Sequence, residues 1–328
     1  MGRLLITGAT GFLGGALIRH LRAKGSKPIA LGRSELQCQH LEAEGFDVVR
    51  MDLSNPCDKD QIAPLGPVDA IVHCAALSAP WGPRSAFVAA NVTGTKHLLD
   101  LAEKLGVRRF VNISSPTVYF EMKDKENVRE DALLPPPINA YAATKAEAEQ
   151  LVLTRPDLGP INLRPRGLYG AGDTTLLPRL LAAARKRPLP VFRNGAASID
   201  LTHVDDLLSA VETALEASPE CEGETFNISG GEPLPVRFIV ERVCATKGIP
   251  VRWQNRSLAP AVLVARLLET ASLIVPGAGE PLATPYTLGL FAFRQSLDIS
   301  KAERLLDWRP QIDFESGLAK TLVEGNAR

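Results

Sequence analysis

Short apolar runs alternate with longer, helix-like stretches through the first half of the chain. The runs are almost continuously apolar, which is typical of parallel strands covered on both faces of a sheet. The predicted strands are Leu4–Ile6, Pro28–Leu31, Asp47–Val49, Ala70–Cys74, Phe110–Ile113 and Pro160–Arg164. The predicted helices are Phe12–Ala23, Leu36–Glu44, Arg84–Leu105 and Tyr141–Thr154. This alternation predicts right-handed βαβ units and an α/β fold with a doubly wound Rossmann parallel sheet.

The pattern changes after the last of these strands. Proline and glycine become frequent, as in Arg187–Pro190 and Gly230–Pro233, and the segments between them are shorter. The sequence therefore predicts a Rossmann domain over residues 1–165 and a smaller C-terminal domain over residues 166–328. Elements around residues 199–216 are expected to return to the first domain.

The most apolar stretch of the second half runs from Leu258 to Val275. Its apolar positions cover much of a helix circumference, more than one buried face needs. Such a helix could line a lipophilic pocket, contact a membrane surface as a peripheral element or pair with another subunit. An ordinary core helix is the plain alternative. Arg266 and Glu269 interrupt the stretch, so no transmembrane span is predicted.

Charge and cysteine content narrow the class of protein. The 328 residues include 37 Lys and Arg against 37 Asp and Glu, so the formal net charge is zero. Since no long-range field attracts polyanions, we expect no nucleic-acid partner. Five cysteines without a CxxC pair or a neighbouring His cluster indicate neither a disulfide framework nor a metal site. The first residues lack a signal-peptide pattern, and we expect a cytoplasmic location.

A glycine-rich loop joins the first strand to the first helix. In Thr7–Gly14, Gly8 permits a tight turn, Gly11 lets the backbone approach a pyrophosphate, and Gly14 allows close helix–strand packing. The helix N-terminus then offers free N–H groups to phosphates. This placement predicts a dinucleotide site, with contacts from Gly8, Thr10, Gly11, Phe12 and Leu13.

The end of the second strand carries the residue expected to read the 2′ position of the cofactor. No carboxylate stands there to accept a hydrogen bond from a free 2′-hydroxyl, whereas Arg33 can pair with a 2′-phosphate. The sequence therefore favours NADP(H) over NAD(H). Asp52 and Leu53 are expected beside the adenine, and Ala75 and Ala76 where the backbone meets the cofactor.

Tyr141 and Lys145 lie one turn apart on one face of an alanine-rich helix. A free tyrosine is a poor acid or base at neutral pH, and a nearby cation makes proton exchange easier. Ser115 follows the fifth strand, at the sheet edge where α/β folds bind ligands. It could hydrogen-bond a carbonyl oxygen while Tyr141 transfers the proton.

These motifs resemble the extended short-chain dehydrogenase/reductase superfamily over nearly the whole chain. The matching segments, in chain order, are Thr7–Gly14, Asn91–Thr95, Ser114–Tyr119, Tyr141–Lys145, Leu163–Pro165, Tyr169–Gly170 and Asp200–Asp206. The resemblance implies that Ser115, Tyr141 and Lys145 form the catalytic triad. It also implies that Lys145 holds the nicotinamide ribose and that Asn91 and Pro165 lie on the cofactor side.

Within this superfamily, nucleotide-sugar enzymes usually carry an Asn before the Tyr-Gly pair and an Arg before the Asp-x-x-His-Val segment. Here those positions are Gly167 and Ile199, although Arg166 could compensate in part. The chain is more similar to the 3β-hydroxysteroid dehydrogenase and 2-alkyl-3-ketoalkanoate reductase-like branch. The segments that carry this similarity are Ala75–Gly82, Leu176–Leu180, Ile228–Pro233, Thr284–Leu288 and Leu297–Ala302.

The resulting hypothesis is an NADP(H)-dependent oxidoreductase that interconverts a ketone and a secondary alcohol on an apolar small molecule, such as a β-keto lipid or a sterol-like compound. Its expected substrate contacts are Ser78, Trp81, Thr117 and Gly167. Two alternatives are a nucleotide-sugar 4-epimerase or dehydratase with tightly bound NAD(P), and a non-catalytic NADP(H) sensor. The resemblance also implies a homodimer through helices 84–105 and 141–154.

Overall fold

A computed structural model describes residues 2–57, 59–275 and 279–325 of the chain. The strands, in chain order, are β1 (Leu4–Thr7), β2 (Ile29–Gly32), β3 (Asp47–Arg50), β4 (Ala70–His73), β5 (Arg109–Ile113), β6 (Lys125–Val128), β7 (Pro160–Pro165), β8 (Leu168–Tyr169), β9 (Leu189–Val191), β10 (Ser198–Ile199), β11 (Thr202–His203), β12 (Glu224–Ile228), β13 (Leu234–Pro235), β14 (Trp253–Asn255) and β15 (Gln295–Leu297).

The α-helices of the described residues flank and connect these strands. They are α1 (Phe12–Ala23), α2 (Glu35–Ala43), α3 (Lys59–Ile62), α4 (Arg84–Phe87), α5 (Gly94–Leu105), α6 (Ala140–Leu153), α7 (Leu177–Lys186), α8 (Val204–Glu216), α9 (Val236–Ala245), α10 (Leu258–Ile274), α11 (Pro285–Leu290), α12 (Ser300–Leu305) and α13 (Phe314–Gly325). Short 3₁₀ turns lie at Ala63–Leu65, Pro116–Tyr119, Pro156–Leu158, Arg193–Gly195 and Pro219–Cys221.

The central sheet has seven parallel strands in the order β3-β2-β1-β4-β5-β7-β12. The chain winds outward from β1 in one direction and then from β4 in the other. The loops after β1 and β4 therefore lie side by side at the carboxyl edge, where such sheets bind ligands. The predicted doubly wound Rossmann fold is confirmed.

Alternating side chains of each strand supply the two apolar layers that cover the sheet. Ile6 packs with α1 and α8, including Leu17 and Val211, whereas its neighbour Leu5 packs on the other face with Leu98 and Leu99 of α5. Both faces of the strands are thus buried, which explains their continuous apolar sequences.

One helix and one strand of the Rossmann layers, α8 and β12, lie after residue 165 in the chain. Helix α8 packs on α1, and β12 extends the sheet by pairing with β7. Smaller pairings follow: the four-stranded sheet β13-β10-β15-β6 and the pairs β11-β8 and β14-β9. The division into domains at residue 165 stays a prediction.

The helix predicted over residues 84–105 is present in the structure and contains one irregular stretch. A π-helical stretch, Val88–Thr93, separates α4 from α5. It contains Asn91, a buried polar side chain, and π-helical turns often occur where such a group is turned inward at a functional site. The predicted helix over residues 84–105 is therefore confirmed, whereas the π-helical turn within it was not predicted.

Helix α10 begins at the predicted residue, but it is not a core helix. Ala265 is its one buried residue. Several large apolar side chains are strongly exposed, among them Leu263 at 60%, Leu267 at 63% and Ile274 at 73%. The plain alternative of an ordinary core helix is therefore wrong. Among the described helices, none has the length and apolar character needed to cross a membrane.

A buried ion pair joins α6 to β7. The Arg164 guanidinium donates from Nε to Glu149 Oε1 at 2.7 Å and from Nη2 to Glu149 Oε2 at 2.6 Å. Glu149 is 1% exposed and Arg164 5%. Arg164 also donates to the hydroxyl of Tyr119, so the pair connects the middle of α6 with two neighbouring parts of the sheet edge.

Glu149→Ala should lower the free energy of unfolding by about 3–5 kcal/mol, because it leaves the Arg164 charge buried without its carboxylate. Urea unfolding measures the loss. Glu147→Ala is the matched control, since Glu147 is exposed on the same helix and its replacement should change stability by about 0.5 kcal/mol or less. Equal effects of the two variants would contradict this account of the pair.

Candidate active site

The glycine loop after β1 leaves no room for side chains at two positions. Gly8 has a φ of +64°, and a Cβ there would lie 2.8 Å from the backbone nitrogen of Ala75. A Cβ at Gly14 would lie 2.3 Å from the Gly8 carbonyl oxygen. The first glycine therefore lets the β4 loop approach, and the second lets α1 pack directly on the turn.

The first turn of α1 is open to an anionic ligand. Gly11 caps the helix without any side-chain hydrogen bond, and Phe12 and Leu13 pack against the core of the sheet. Within the part of the chain that the structure describes, no side chain caps this helix N-terminus, where N–H groups and the helix dipole favour negative charge. The loop and helix fit the pyrophosphate of a dinucleotide.

Hydrogen bonds fix the β4 loop next to this cradle. Thr7 Oγ1 lies 2.8 Å from His73 Nδ1 and accepts from the Ala75 backbone N–H at 3.2 Å. Burial lowers the pKa of His73 to about 3, so its ring is neutral and serves as a connector between strands. Ala75 is half-buried and Ala76 exposed. The backbone of both alanines therefore lies at the rim where cofactor contact is expected.

Asn91 connects the β4 loop with the helix that carries Tyr141. Its Oδ1 accepts from the Leu77 backbone N–H at 2.7 Å, and its Nδ2 donates to the Leu77 carbonyl at 3.2 Å. Nδ2 also lies 3.1 Å from Thr144 Oγ1 on α6. The Asn91 side chain thus holds two walls of the site at a fixed separation, and its expected place on the cofactor side stays a prediction.

The residues expected around the adenosine lie at the ends of β2 and β3. Arg33 is exposed directly after β2. Hydrogen bonds from Ser54 lower the pKa of Asp52, and the Arg33 charge adds to that shift. Leu53 is buried, and its carbonyl oxygen lies 2.8 Å from His97 Nδ1. Among the described residues, no hydrogen bond or ion pair holds the Arg33 guanidinium, so it is available to a phosphate.

Ser115 and Thr117 form a small hydroxyl cluster beyond β5. Ser115 Oγ lies 2.9 Å from Thr117 Oγ1 and accepts from the Thr117 backbone N–H at 3.2 Å, which caps the turn Pro116–Tyr119. Thr117 Oγ1 lies 3.3 Å from the hydroxyl of Tyr286 on α11. Tyr286 was not among the predicted site residues. Its segment, Thr284–Leu288, gave a family signal but no indication of a contact to Thr117.

Tyr141 lies in the first turn of α6, which Asn139 caps by accepting from the Ala142 N–H at 2.9 Å. Burial raises the pKa of the Tyr141 phenol, whereas side-chain hydrogen bonds from Ser78 and Ser115 lower it. Side chains from three separate segments, Ser78, Ser115 and Tyr141, therefore lie close enough to affect the Tyr141 proton.

Lys145 is buried one turn further along α6. Its ammonium donates to the Ile113 carbonyl oxygen at 2.6 Å, at the end of β5. Burial lowers the Lys145 pKa to about 8, and the Glu149 carboxylate opposes that shift. The predicted action of Lys145 on the Tyr141 phenol stays a prediction, because the ammonium is directed at Ile113.

The positions that would hold a sugar-nucleotide diphosphate are closed in this chain. Gly167 has a φ of +55°, and a Cβ there would lie 2.4 Å from Leu201 Cδ2. Arg166 is buried, with its Nε 2.9 Å from Asp200 Oδ1 and its Nη1 donating to Gln295 Oε1 at 3.0 Å. Ile199 packs in the apolar cluster around Leu201. Arg166 therefore does not replace the missing polar contacts.

The remaining predicted residues lie at the rim. Trp81 Nε1 donates to the Glu269 carbonyl oxygen of α10 at 3.4 Å, so α10 lies against the β4 loop. Pro165 ends β7 opposite Ile228 of β12. The structure thus brings the glycine loop, the β4 loop, Ser115 and the start of α6 to one edge of the sheet, with α10 and α11 beside them.

This edge has the features of a nucleotide-dependent enzyme, and the family comparison agrees. The model of the NAD dependent epimerase/dehydratase family matches residues 4–229. The chain belongs to this family and is an NAD(P)-dependent oxidoreductase of the extended short-chain type, which confirms the resemblance.

Two curated relatives point to the branch within the family. A 2-alkyl-3-oxoalkanoate reductase of Stenotrophomonas maltophilia is 32% identical, over 97% of this chain and 98% of the relative. A human sterol-4-alpha-carboxylate 3-dehydrogenase, decarboxylating, is 30% identical, over 74% of this chain and 65% of the relative. Among solved structures, UDP-glucuronic acid 4-epimerase from Bacillus cereus in complex with NAD has a TM-score of 0.75 at 23% identity, covering 99% of both chains. That last likeness concerns the fold alone.

Gly14→Ala should weaken NADPH binding at least about tenfold and lower the melting temperature, because its methyl group would overlap the Gly8 carbonyl. Fluorescence titration with NADPH measures the affinity. Gly279→Ala is the control, since a Cβ at Gly279 would meet no atom within 4 Å and the residue lies outside the glycine loop. Unchanged affinity in the Gly14 variant would contradict the assignment of the loop.

Proposed function

We propose that the protein is an NADP(H)-dependent oxidoreductase that interconverts a ketone and a secondary alcohol on a largely apolar substrate. A β-keto or β-hydroxy lipid, or a sterol-like compound, has the required chemistry. The observation that carries the proposal is the contrast within the site: hydroxyl groups cluster at the reacting centre, whereas the positions for a substrate diphosphate offer no free polar group.

The cost of burying charge explains why this contrast matters. A diphosphate needs several donors, because unpaired charge in a closed site is strongly unfavourable. Here Arg166 is already paired with Asp200, and Gly167 cannot gain a side chain without meeting Leu201. A substrate without phosphates avoids this cost. The reductase and sterol dehydrogenase relatives, named for oxoalkanoate and sterol carboxylate substrates, support the same class.

Residues on α6 and after the ends of β4 and β5 would carry out the proton transfer. A bound NADPH would supply a hydride to the carbonyl carbon. Ser115 and Ser78, whose side chains lower the pKa of the Tyr141 phenol, would orient the substrate oxygen toward it. The raised pKa keeps Tyr141 protonated at neutral pH, so it can donate its proton to the oxygen as the alcohol forms. The Lys145 charge would stabilise the phenolate that remains, and the reverse reaction uses the same groups.

Tyr141→Phe should reduce turnover of a β-keto acid by about 100-fold or more, because a phenylalanine at this position has no proton to donate. NADPH affinity should remain within about threefold. NADPH absorbance loss measures turnover, and fluorescence titration measures binding. Tyr286→Phe is the matched control, because it removes a hydroxyl that contacts Thr117. Its turnover should fall much less than that of the Tyr141 variant. Most of the activity surviving in the Tyr141 variant would exclude the mechanism.

We also propose a preference for NADP(H), supported by the exposed Arg33 at the end of β2. The nearby Glu35 carboxylate lies 3.0 Å from Arg50, and Asp52 accepts from Ser54, so both carboxylates already have partners. A 2′-phosphate could therefore pair with Arg33 without facing a free carboxylate.

Arg33→Ala should raise the Kd for NADPH about 10- to 100-fold and leave the Kd for NADH nearly unchanged, since a hydrogen-bonded ion pair contributes about 1.5–3 kcal/mol. Paired titrations with the two cofactors test this difference. Arg108→Ala, at an exposed site beside β5, is the control. An equal loss for both cofactors would contradict the role of Arg33.

The nucleotide-sugar alternative is distinguished by a simple screen. The protein would be assayed for NADPH oxidation with β-keto acids of increasing chain length, and for affinity toward UDP- and dTDP-sugars. Oxidation with long-chain ketones supports the proposal. Binding of a UDP-sugar to a protein that copurifies with its nicotinamide cofactor would overturn it, and cofactor binding without any turnover would favour the sensor.

Two further expectations accompany the function. Pairing of two copies through residues 84–105 and 141–154 stays a prediction carried by the family resemblance. A cytoplasmic location is supported by the five cysteines, all described and all free of disulfide bonds.

A further inference from the structure

We propose that the outward face of α10 docks on a lipid surface with anionic headgroups, beside the entrance to the active site. The docking itself is independent of the proposed function. Only its consequence, that an apolar substrate enters from the lipid, rests on that function.

The outward face of α10 is unusually apolar for a surface. The exposed side chains, given with their exposed fractions, are Leu263 60%, Val264 54%, Leu267 63%, Leu268 43%, Leu273 51%, Ile274 73% and Val275 55%. Exposed apolar residues that stand singly need no explanation, but a contiguous patch of this kind indicates a binding surface. Arg266 is the one charged residue that this helix exposes, since Glu269 is half-buried.

The opposite side of α10 fixes the helix to the molecule. Leu258 and Ala261 pack with Phe192 and Phe293, and the helix also contacts α11. Trp81 donates to the Glu269 carbonyl from the β4 loop. The outward face is therefore presented by an anchored helix, so docking requires little ordering of the chain.

The local charge selects an anionic surface rather than a neutral one. Between residues 247 and 275 the sequence has four basic residues and one acidic residue, although the whole chain is neutral. The basic residues are Lys247, Arg252, Arg256 and Arg266. Arg185 and Arg252 also line a groove of about 430 Å³ next to Gly248–Pro250. Basic groups beside an apolar helix face are the pattern of peripheral membrane elements.

The length of α10 suits a helix that lies in the membrane plane. Seventeen residues correspond to about 25 Å along the axis. Burying the outward face to the depth of the acyl boundary would cover its leucines, and Arg256, two residues before the helix, would lie near the headgroups. Trp81 of the β4 loop contacts α10, and Tyr286 of α11, which packs on α10, contacts Thr117 beside Ser115. An apolar substrate could therefore pass from lipid to site between these elements.

Sedimentation with vesicles tests the proposal directly. The full chain would be mixed with vesicles of phosphatidylglycerol and phosphatidylcholine in equal parts, and with vesicles of phosphatidylcholine alone. We expect binding to the anionic vesicles that weakens about tenfold or more without phosphatidylglycerol or at high salt. The double variant L263D/L267D should lose about tenfold or more in binding, and R252A/R256A should lose the preference for anionic vesicles.

Leu133→Asp is the matched control, because Leu133 is 93% exposed in a loop outside α10 and should not matter. Turnover of a short, water-soluble ketone by L263D/L267D separates this inference from the proposed function: it should remain near the wild-type value. Size-exclusion chromatography with light scattering identifies the rival occupant, a second copy. A dimer that L263D/L267D dissociates, or vesicle binding that this variant retains, would overturn the proposal.

Discussion

The ion pair between Glu149 and Arg164 fixes the helix that carries Tyr141 and Lys145 against the central sheet. Two buried charges are tolerated because each satisfies the other through two short hydrogen bonds, and Tyr119 takes a further donor of the guanidinium. The arrangement sets the position of α6 relative to β5 and β7. The proximity of Ser78, Ser115 and Tyr141 depends on that position, and Asn91 adds a second connection from α6 to the β4 loop.

A second buried ion pair, between Arg166 and Asp200, lies on the substrate side of the site. Gly167 lies directly against Leu201. These residues serve the packing between the Rossmann sheet and the smaller sheets: Arg166 already has buried partners, and Gly167 offers no side chain to a phosphorylated substrate. Helix α10 presents apolar surface next to the same region. The described residues are therefore polar where a carbonyl would react and apolar around that point, out to the surface at α10.

Local sequence patterns predicted the six strands in order, the glycine loop and the pairing of Tyr141 with Lys145, because these depend on neighbours a few residues apart. Non-local contacts could not be predicted in this way. Strand β12 joins the sheet through pairing with β7 some sixty residues earlier, and Tyr286 reaches Thr117 across 169 positions. The π-helical turn at Asn91 also escaped prediction, since its cause is the pair of partners at Leu77 and Thr144. The exposure of α10 follows from tertiary packing, which periodicity alone does not give.

The central claim is that this site transfers a hydride from NADPH to a ketone on an apolar substrate. Single-turnover reaction with NADPH deuterated at the transferring position of the nicotinamide C4 tests it most directly, with a long-chain β-keto acid as substrate and mass spectrometry as the readout. The account predicts one deuterium on the carbinol carbon of the product and none left at that position of the cofactor. Deuterium that stays on the cofactor, while a nucleotide sugar is epimerised by the same preparation, would contradict it.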